Sequence, residues 1–569
     1  MTDASSRDVP PASQGTTASD QARRRARART TALRLVGLAA VLVLAIAVTK
    51  DAWLSDDAFI TLRTIDNVWN GYGLRWNPIE RVQTYTHPLW MLLLAAAYGL
   101  TREPHLTTLA ISLAVTAATV GLLLRRLTPA GRAVAFVPLA GSRAFVDYST
   151  SGLENPLSHL LVAAFWLVVL ADARPSRRRL LALATLASLC MLTRLDLVLL
   201  TAPGLLVEIY RALGEREGGG EAMGRPLRAF DVLPALVLGA VPLILWHLFA
   251  LVYYGFLFPN TAYAKLGTGI PSTELMAQGL RYLSESFRAD PVTLLTIAGA
   301  MLVGLWRPTP RTAALTCALV ASVGYVVRAG GDFMSGRFLT PAFLCAVVLL
   351  ATRLPVRWPG AVPGAIVAAL VVSLTRPASP LRLGTPFVPP GHVRVEHGIV
   401  DERGVYYPAT GFVPVLRGIR YTSHGWAHQP MAVPIVWAVG AIGLLGYTSG
   451  PAFHGLDPLA LADPLLARLP VTPSTPWRIG HFERTLPEGY EETLTACVRR
   501  LFPGGAIRPP TGSCLPFWRE VNHFRDPRLA GAYRELMLIT QGPLTDRARL
   551  AAILRWNFGA SPLDAARRD

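Results

Sequence analysis

Charge is what this chain has least of. Only 16% of its 569 residues are Asp, Glu, Lys or Arg, too few to coat a soluble protein of that length. With 51% hydrophobic residues and a mean hydropathy of +0.36, an ordinary water-soluble enzyme is excluded. Cysteine is scarce too: there are five, with no CxxC and no His/Cys cluster, which removes a structural zinc site. A basic face with interleaved aromatics is also missing. The net charge of +18 therefore does not point to nucleic acid. Its Lys and Arg instead fall in short clusters between apolar runs, such as "RRRARAR" at 23–29, "RPSRRR" at 174–179 and "RPTPR" at 307–311. That is the pattern of cytoplasmic loops.

What is present is a series of apolar runs of bilayer length, beginning with "TALRLVGLAAVLVLAIAVT" at 31–49. Residues 1–30, polar and rich in Arg, read as a disordered cytoplasmic tail, and 31–49 as an uncleaved anchor. Further spans are expected at 107–124, 133–148, 156–172, 178–193, 196–212, 231–253, 291–306, 312–328, 337–352 and 358–375. With these eleven crossings every basic loop lies inside, and the region after residue 375 lies outside. "HPLWMLLLAAAYGL" at 87–100 is short, and its charge context suits a helix on the outer surface.

The expected fold is a mostly α membrane bundle at 31–375, followed by a small α/β extracytoplasmic domain at 376–569. In that domain 433–447 reads as a buried strand and turn, and 457–469 and 491–502 as helices. Cys190, Cys317 and Cys345 fall in apolar spans and read as core residues. Cys497 and Cys514 lie outside, where an oxidising compartment permits a disulfide.

Sorting the polar motifs by side puts one group on the outer face. "LSDDAFITLR" (54–63) carries Asp56, Asp57 and Arg63, and "RWNPIERVQTYTHP" (75–88) carries Glu80, Tyr85 and His87. "SGLENP" (151–156) brings Glu154, "TRLD" (193–196) Arg194 and Asp196, "FPNTAYAK" (258–265) Asn260 and Lys265, and "GGDFMSGRFL" (330–339) Asp332 and Arg337. Each has a plain alternative. Ser55 and Asp56 could cap a helix, Glu154 could be a solvated loop residue, and the Arg194–Asp196 and Asp332–Arg337 pairs could be structural. Ionisable groups at membrane depth that converge on one face are, however, what an outward-opening active site requires.

The outer face has no ready supply of ATP or nucleotide sugars, so an enzyme there needs a donor carried in the lipid. A sugar on a polyprenyl phosphate fits. Arg194, Lys265 or Arg337 would hold the leaving phosphate, and Asp56 or Asp57 would take the proton of the attacking hydroxyl. No cofactor is expected; a divalent cation near Asp56 stays open, though no ligand spacing demands one. A lipid-linked-sugar transporter or flippase is the rival class, but no internal repeat is visible and the charges sit at outer helix ends.

With those residues assembled, the chain resembles the GT-C class of integral-membrane glycosyltransferases. Within it, the chain most resembles the actinobacterial terminal β-(1→2) arabinofuranosyltransferases. The matching stretches are "DDAFITLR", "ERVQTYTHPLW", "SGLENPL", "TRLD", "FPNTAYAK", "GGDFMSGRFL", "GLDPLALADPLLARLP" (455–470) and "WRIGHFERTLPEGY" (477–490). The resemblance implies a multi-pass plasma-membrane enzyme with an extracytoplasmic active site. Its donor would be decaprenyl-phosphoryl-arabinose and its acceptor a cell-wall arabinan, of arabinogalactan or lipoarabinomannan. Asp56 and Asp57 would be the catalytic acidic motif of the first outer loop, and the C-terminal domain would hold the acceptor. Another lipid-linked sugar such as mannose stays open. So does the stereochemical course, since a β donor giving a β product requires retention.

Overall fold

The computed structural model describes residues 15–214, 227–377, 379–382, 395–472, 477–505, 507–510, 512–559 and 563. Leu-, Val- and Ala-rich runs form helices whose starts are marked by a polar cap followed by proline. Glu103 accepts from the backbone N–H groups of His105, Leu106 and Thr107, Thr128 from Gly131, and Asp290 and Thr309 from Thr293 and Thr312.

In chain order the bundle comprises α1 (Gly15–Lys50), α2 (Asp56–Trp69), α3 (Pro88–Thr101), α4 (Pro104–Arg126), α5 (Pro129–Gly141), α6 (Arg143–Asp147), α7 (Asn155–Leu170) and α8 (Arg177–Thr193). It continues with α9 (Val198–Gly214), α10 (Ala229–Tyr253), α11 (Asn260–Lys265), α12 (Ser272–Ala289), α13 (Pro291–Leu305), α14 (Pro310–Arg328), α15 (Thr340–Arg357) and α16 (Val362–Leu374). A helix stands at every stretch read as a span. Among the described residues six are long and apolar enough to cross a bilayer: Asp20–Lys50, Pro104–Arg126, Leu195–Gly214, Ala229–Tyr253, Pro310–Arg328 and Arg337–Arg357. The pair α12 and α13, bent by 109°, would make a seventh.

α15 is the central post, buried from Thr340 to Leu349. α10 is peripheral and shows Leu233, Val237, Leu245 and Leu248 to the outside, as a lipid-facing helix does. It crosses α8 where Gly239 lies on Ala184, and an added Cβ would come within 2.4 Å of the Ala184 Cβ.

The C-terminal region adds the antiparallel strands β1 (Val395–Glu396) and β2 (Ile399–Val400), then α17 (Glu402–Thr410) and α18 (Phe412–Leu416). β3 (Ile435–Ala438) pairs in parallel with β4 (Phe453–Leu456), with α19 (Leu444–Thr448) between them. α20 (Tyr490–Leu501), α21 (Trp518–Val521), α22 (Pro527–Gln541) and α23 (Arg547–Phe558) follow. A disulfide joins Cys497 on α20 to Cys514. The core of this region includes Ile79 and Phe256 from loops of the bundle and Ala264 from α11, so it is seated directly on the bundle.

Several expectations need correction. Of the stretch read as a tail, residues 1–14 lie outside the described residues, but 15–30 are helical: Ala, Arg and Gln favour helix, and an existing helix extends without a new nucleus. The stretch 133–148 is not one helix. It breaks at Ser142, which caps α6 and donates to Asp290 Oδ2 at 2.9 Å. β3 is half-exposed rather than buried. Residues 457–469 form turns with a single 3₁₀ turn at Leu466–Arg468, not a helix. There Asp457 accepts from the N–H groups of Leu459, Leu461 and Ala462, and Asp463 from Leu465 and Leu466. Aspartates that bond their own backbone favour turns over helix. Cys317 is exposed, while Cys190 and Cys345 are buried.

Candidate active site

The acidic start of α2 is assembled by a close approach. Ser55 donates its N–H to Ser151 O at 2.9 Å, and its side chain accepts from Ala58 N. Gly152 makes the approach possible: its φ is +79°, and a Cβ there would lie 2.6 Å from the Ala58 Cβ. The "SGLEN" loop thereby brings Glu154 to the side of α2 that carries Asp57.

Asp57 lines a cavity of about 410 Å³, shared with Tyr85, His87, Glu154, Arg194, Asp196, Lys265 and Arg337. Phe258, Leu266, Tyr325 and Phe338 supply its apolar wall. This volume lies within the usual range of small-ligand sites. Asp57 keeps 31% of its side chain exposed, and its Oδ2 sits 4.0 Å from Arg337 Nη1. Burial raises the Asp57 pKa, opposed by the charges of Arg337 and Lys265 and reinforced by Asp332 and Glu154.

Each cation is held differently. Arg337 donates Nε to Asp332 Oδ2 at 2.6 Å, in a turn whose Gly330, Gly331 and Gly336 all have positive φ. Arg194 grips Asp196 bidentately, at 3.0 and 2.8 Å, and lies 4.2 Å over the Phe338 ring. Its Nη1 is 3.7 Å from Glu154 and has no hydrogen-bond partner among the described residues. Lys265 has neither an ion-pair nor a hydrogen-bond partner among the described residues. Its pKa is lowered by desolvation, with Asp57 and Asp332 opposing.

Glu154 is the anchor of the acidic side. His87 Nδ1 stands 3.2 Å from its Oε2, and His87 Nε2 is 2.9 Å from Thr61 Oγ1. Burial alone would raise the Glu154 pKa, but the His87 imidazole and the charges of Arg194 and Arg337 hold it at about 2. Tyr85 reaches the cavity with its hydroxyl 2.8 Å from that of Tyr254.

The structure takes five of the expected site residues elsewhere. Asp56 turns away from the cavity and accepts from Leu444 N at 2.8 Å and Gly443 N at 3.1 Å; burial pushes its pKa up to about 6 against those bonds. Arg63 is buried over Trp76 and donates to the carbonyls of Trp76, Gly446 and Phe453. Glu80 is buried beside Asn77, 3.3 Å away, and burial followed by Asp463 pushes its pKa up to about 8. Asn260 donates to the carbonyls of Ala460, Leu461 and Asp463, pinning the turn at 457–469. Asp332 acts on the cavity through Arg337. Residues missed by sequence reasoning include Tyr325 at the end of α14 and Leu461 from the C-terminal region, neither of which carries a local signal. Phe338, beside Arg337 in its motif, could have been found as a cation–π partner.

The cavity thus sets a carboxylate able to take a proton beside cations with donors to spare for an anion. Among the described residues no group of three or more His, Cys, Asp or Glu could hold a metal ion. No family model matches the chain, and no solved structure does. Two curated relatives do. The terminal beta-(1->2)-arabinofuranosyltransferase of Mycobacterium tuberculosis is 28% identical over 429 residues, 65% of this chain and 65% of that protein. The protein of the same name from Corynebacterium glutamicum is 30% identical over 342 residues, 53% of this chain and 48% of its own length. The matches therefore span from about half to just under two thirds of these relatives. The resemblance expected from the motifs is met: the chain is a homologue of actinobacterial proteins named as terminal β-(1→2) arabinofuranosyltransferases.

Proposed function

We propose that this chain is a membrane glycosyltransferase that moves arabinofuranose from a polyprenyl-phosphate donor, decaprenyl-phosphoryl-arabinose, to a cell-wall arabinan at the outer face of the plasma membrane. The observation that carries the reading is the convergence of Asp57 with Arg194, Lys265 and Arg337 on one cavity. The names of the two relatives supply the sugar. On this reading eleven helices cross the bilayer, and the region after residue 375 stands outside as the acceptor-binding part.

The donor phosphate lies against Lys265 and Nη1 of Arg194, with Arg337 behind them, and the prenyl chain leaves along Phe258, Leu266 and Tyr325. As the bond from the anomeric carbon to the phosphate oxygen breaks, these cations take up the charge growing on the phosphate. The acceptor oxygen forms the new bond to the anomeric carbon, and its proton passes to Asp57. Asp332 and Glu154 keep the cations in place.

The test is purified protein in nanodiscs with decaprenyl-phosphoryl-arabinose and a short synthetic arabinan, read as a one-pentose mass increase. Gain of one pentose, lost in Asp57→Asn, is the expected result. Gain from a mannosyl donor alone would change the sugar, and transfer from no lipid-linked donor would overturn the reading.

A further inference from the structure

Apart from the cavity of Asp57, the bundle carries a groove of about 280 Å³ between α5, α13, α15 and α16. The two share no lining residue. α13 and α15 start together, where Thr293 and Gly336 line one small void, close to Arg337 and so to Asp57. They also end together, where Arg357 Nη1 donates to Trp306 O at 2.7 Å. The groove runs between these ends, from Val292 and Val372 to Val303, Leu350 and Leu354. Thr296 is the one polar residue lining it. A Cβ on Gly299 would meet nothing within 4 Å, and Leu295, Ala365 and Ala368 are exposed, so the groove opens outward from the bundle. On a membrane bundle such an opening faces hydrocarbon. From Val292 to Val303 the helix rises about 17 Å, close to the roughly 15 Å of hydrocarbon in one leaflet.

The end remote from Asp57 is marked by charge. Leu350, Leu354 and Arg357 follow i, i+4, i+7 spacing, which sets Arg357 on the groove face of α15, just beyond the last lining residue. Arg353 makes no hydrogen bond or ion pair among the described residues, and its Nε is buried without a partner. Arg307 is exposed just after α13, and Arg29 of α1 donates to Pro359 O. No Asp or Glu occurs at 291–331 or 333–395, so the arginines of these segments have no acidic neighbour in sequence. Trp306, 62% exposed, meets Trp358 edge to face at 6.4 Å. Tryptophan favours the bilayer interface, and clustered arginine there recognises anionic headgroups. Arg376 and Arg382 lie towards the opposite end, with no tryptophan in the stretch 359–382 that carries them.

We propose that this groove binds one anionic phospholipid from the leaflet opposite Asp57. One acyl chain lies along Gly299 and Ala368, and the phosphate rests on Arg353 and Arg357. On the topology above, that leaflet is the cytoplasmic one. The site is separate from the donor cavity and does not depend on the transferase reading.

The test is native mass spectrometry of the full chain, delipidated in detergent and titrated with phosphatidylglycerol or with phosphatidylcholine of the same chains. The first phosphatidylglycerol should bind about tenfold more tightly than the first phosphatidylcholine. The double variant Arg353→Gln, Arg357→Gln should lose that preference, and Arg376→Gln should keep it. Gly299→Leu should weaken both lipids by about tenfold, because its side chain enters the groove. If it does not fold, Ala368→Phe on the exposed side of α16 takes its place. Equal binding of the two lipids, or no binding of either, would overturn the site. A preference kept in the double variant or lost in Arg376→Gln would overturn the placement of the phosphate. A groove-filling variant that binds like wild type would overturn the placement of the chain. Displacement of the first phosphatidylglycerol by an equal concentration of decaprenyl phosphate would give the groove to a prenyl chain and overturn the phospholipid.

Discussion

At the scale of single residues, the two adjacent aspartates of α2 have separate work. Asp57 opens on the cavity, while both oxygens of Asp56 are occupied by backbone N–H groups of Gly443 and Leu444. Asp57→Asn should therefore lower kcat by about 10²–10⁴, the usual loss when a general base is removed, and leave thermal stability unchanged. Asp56→Asn keeps one acceptor oxygen but aims an NH₂ at the other N–H. One buried donor is left unsatisfied, so stability should fall by about 1–3 kcal/mol in a denaturation measurement, with a smaller loss of kcat. Glu80 contributes a pH dependence. Its pKa is raised from 4.5 to about 8 in the folded protein, so the folded state binds more protons than the unfolded one between those values. Stability from this group is complete below about pH 4.5 and declines as pH rises through 8. Glu80→Gln should flatten the fall in Tm between about pH 4.5 and 8, which differential scanning in detergent would read.

At the scale of elements, the C-terminal region reaches the site by a few backbone contacts, and the tightest is the turn before α19. A Cβ on Gly443 would lie 2.1 Å from the Asp56 carbonyl oxygen and 2.4 Å from its Oδ2. Gly443→Ala should displace α19 and the start of α2 together and cost at least about tenfold in kcat, although Gly443 touches no cavity. Replacement of the exposed Gly425, with nothing near its Cβ, should leave the rate unchanged and serves as the control.

This separation also marks what could be read from the chain. Asp57, Glu154, Arg194, Lys265 and Arg337 stand out because an ionised group at the end of an apolar helix needs a partner or a cavity. That Asp56 turns away depends on a turn 387 positions distant, which no local pattern announces. Arg63 and Asn260 sit in the same motifs as the cavity residues, but they serve backbone carbonyls, and residue type alone does not tell the two uses apart. The misread helix at 457–469 fails for a related reason. Its apolar spacing suits a helix, while Asp457 and Asp463 bond their own following N–H groups.

At the scale of the whole molecule, the bonds between Asp56 and the turn at Gly443 place the start of α2 and the C-terminal region on one side of the membrane. The chain between them must then cross an even number of times. The expected spans from 107–124 to 358–375 number ten, which satisfies that parity, and on the proposed reading the basic tail before α1 is the cytoplasmic end. Six helices are long and apolar enough on their own, and the eleven crossings proposed need the shorter helices α5, α7, α8, α13 and α16 as well. Thr422 is exposed in the C-terminal region, and Arg178 is exposed at the start of α8, in a basic loop. In a background with Cys190, Cys317 and Cys345 replaced by Ser, a membrane-impermeant maleimide applied to intact cells should label Thr422→Cys and not Arg178→Cys. Permeabilised cells should label both. Labelling of Arg178→Cys from outside, or of Thr422→Cys only after permeabilisation, would reverse the sidedness and remove the access of Asp57 to an extracytoplasmic acceptor.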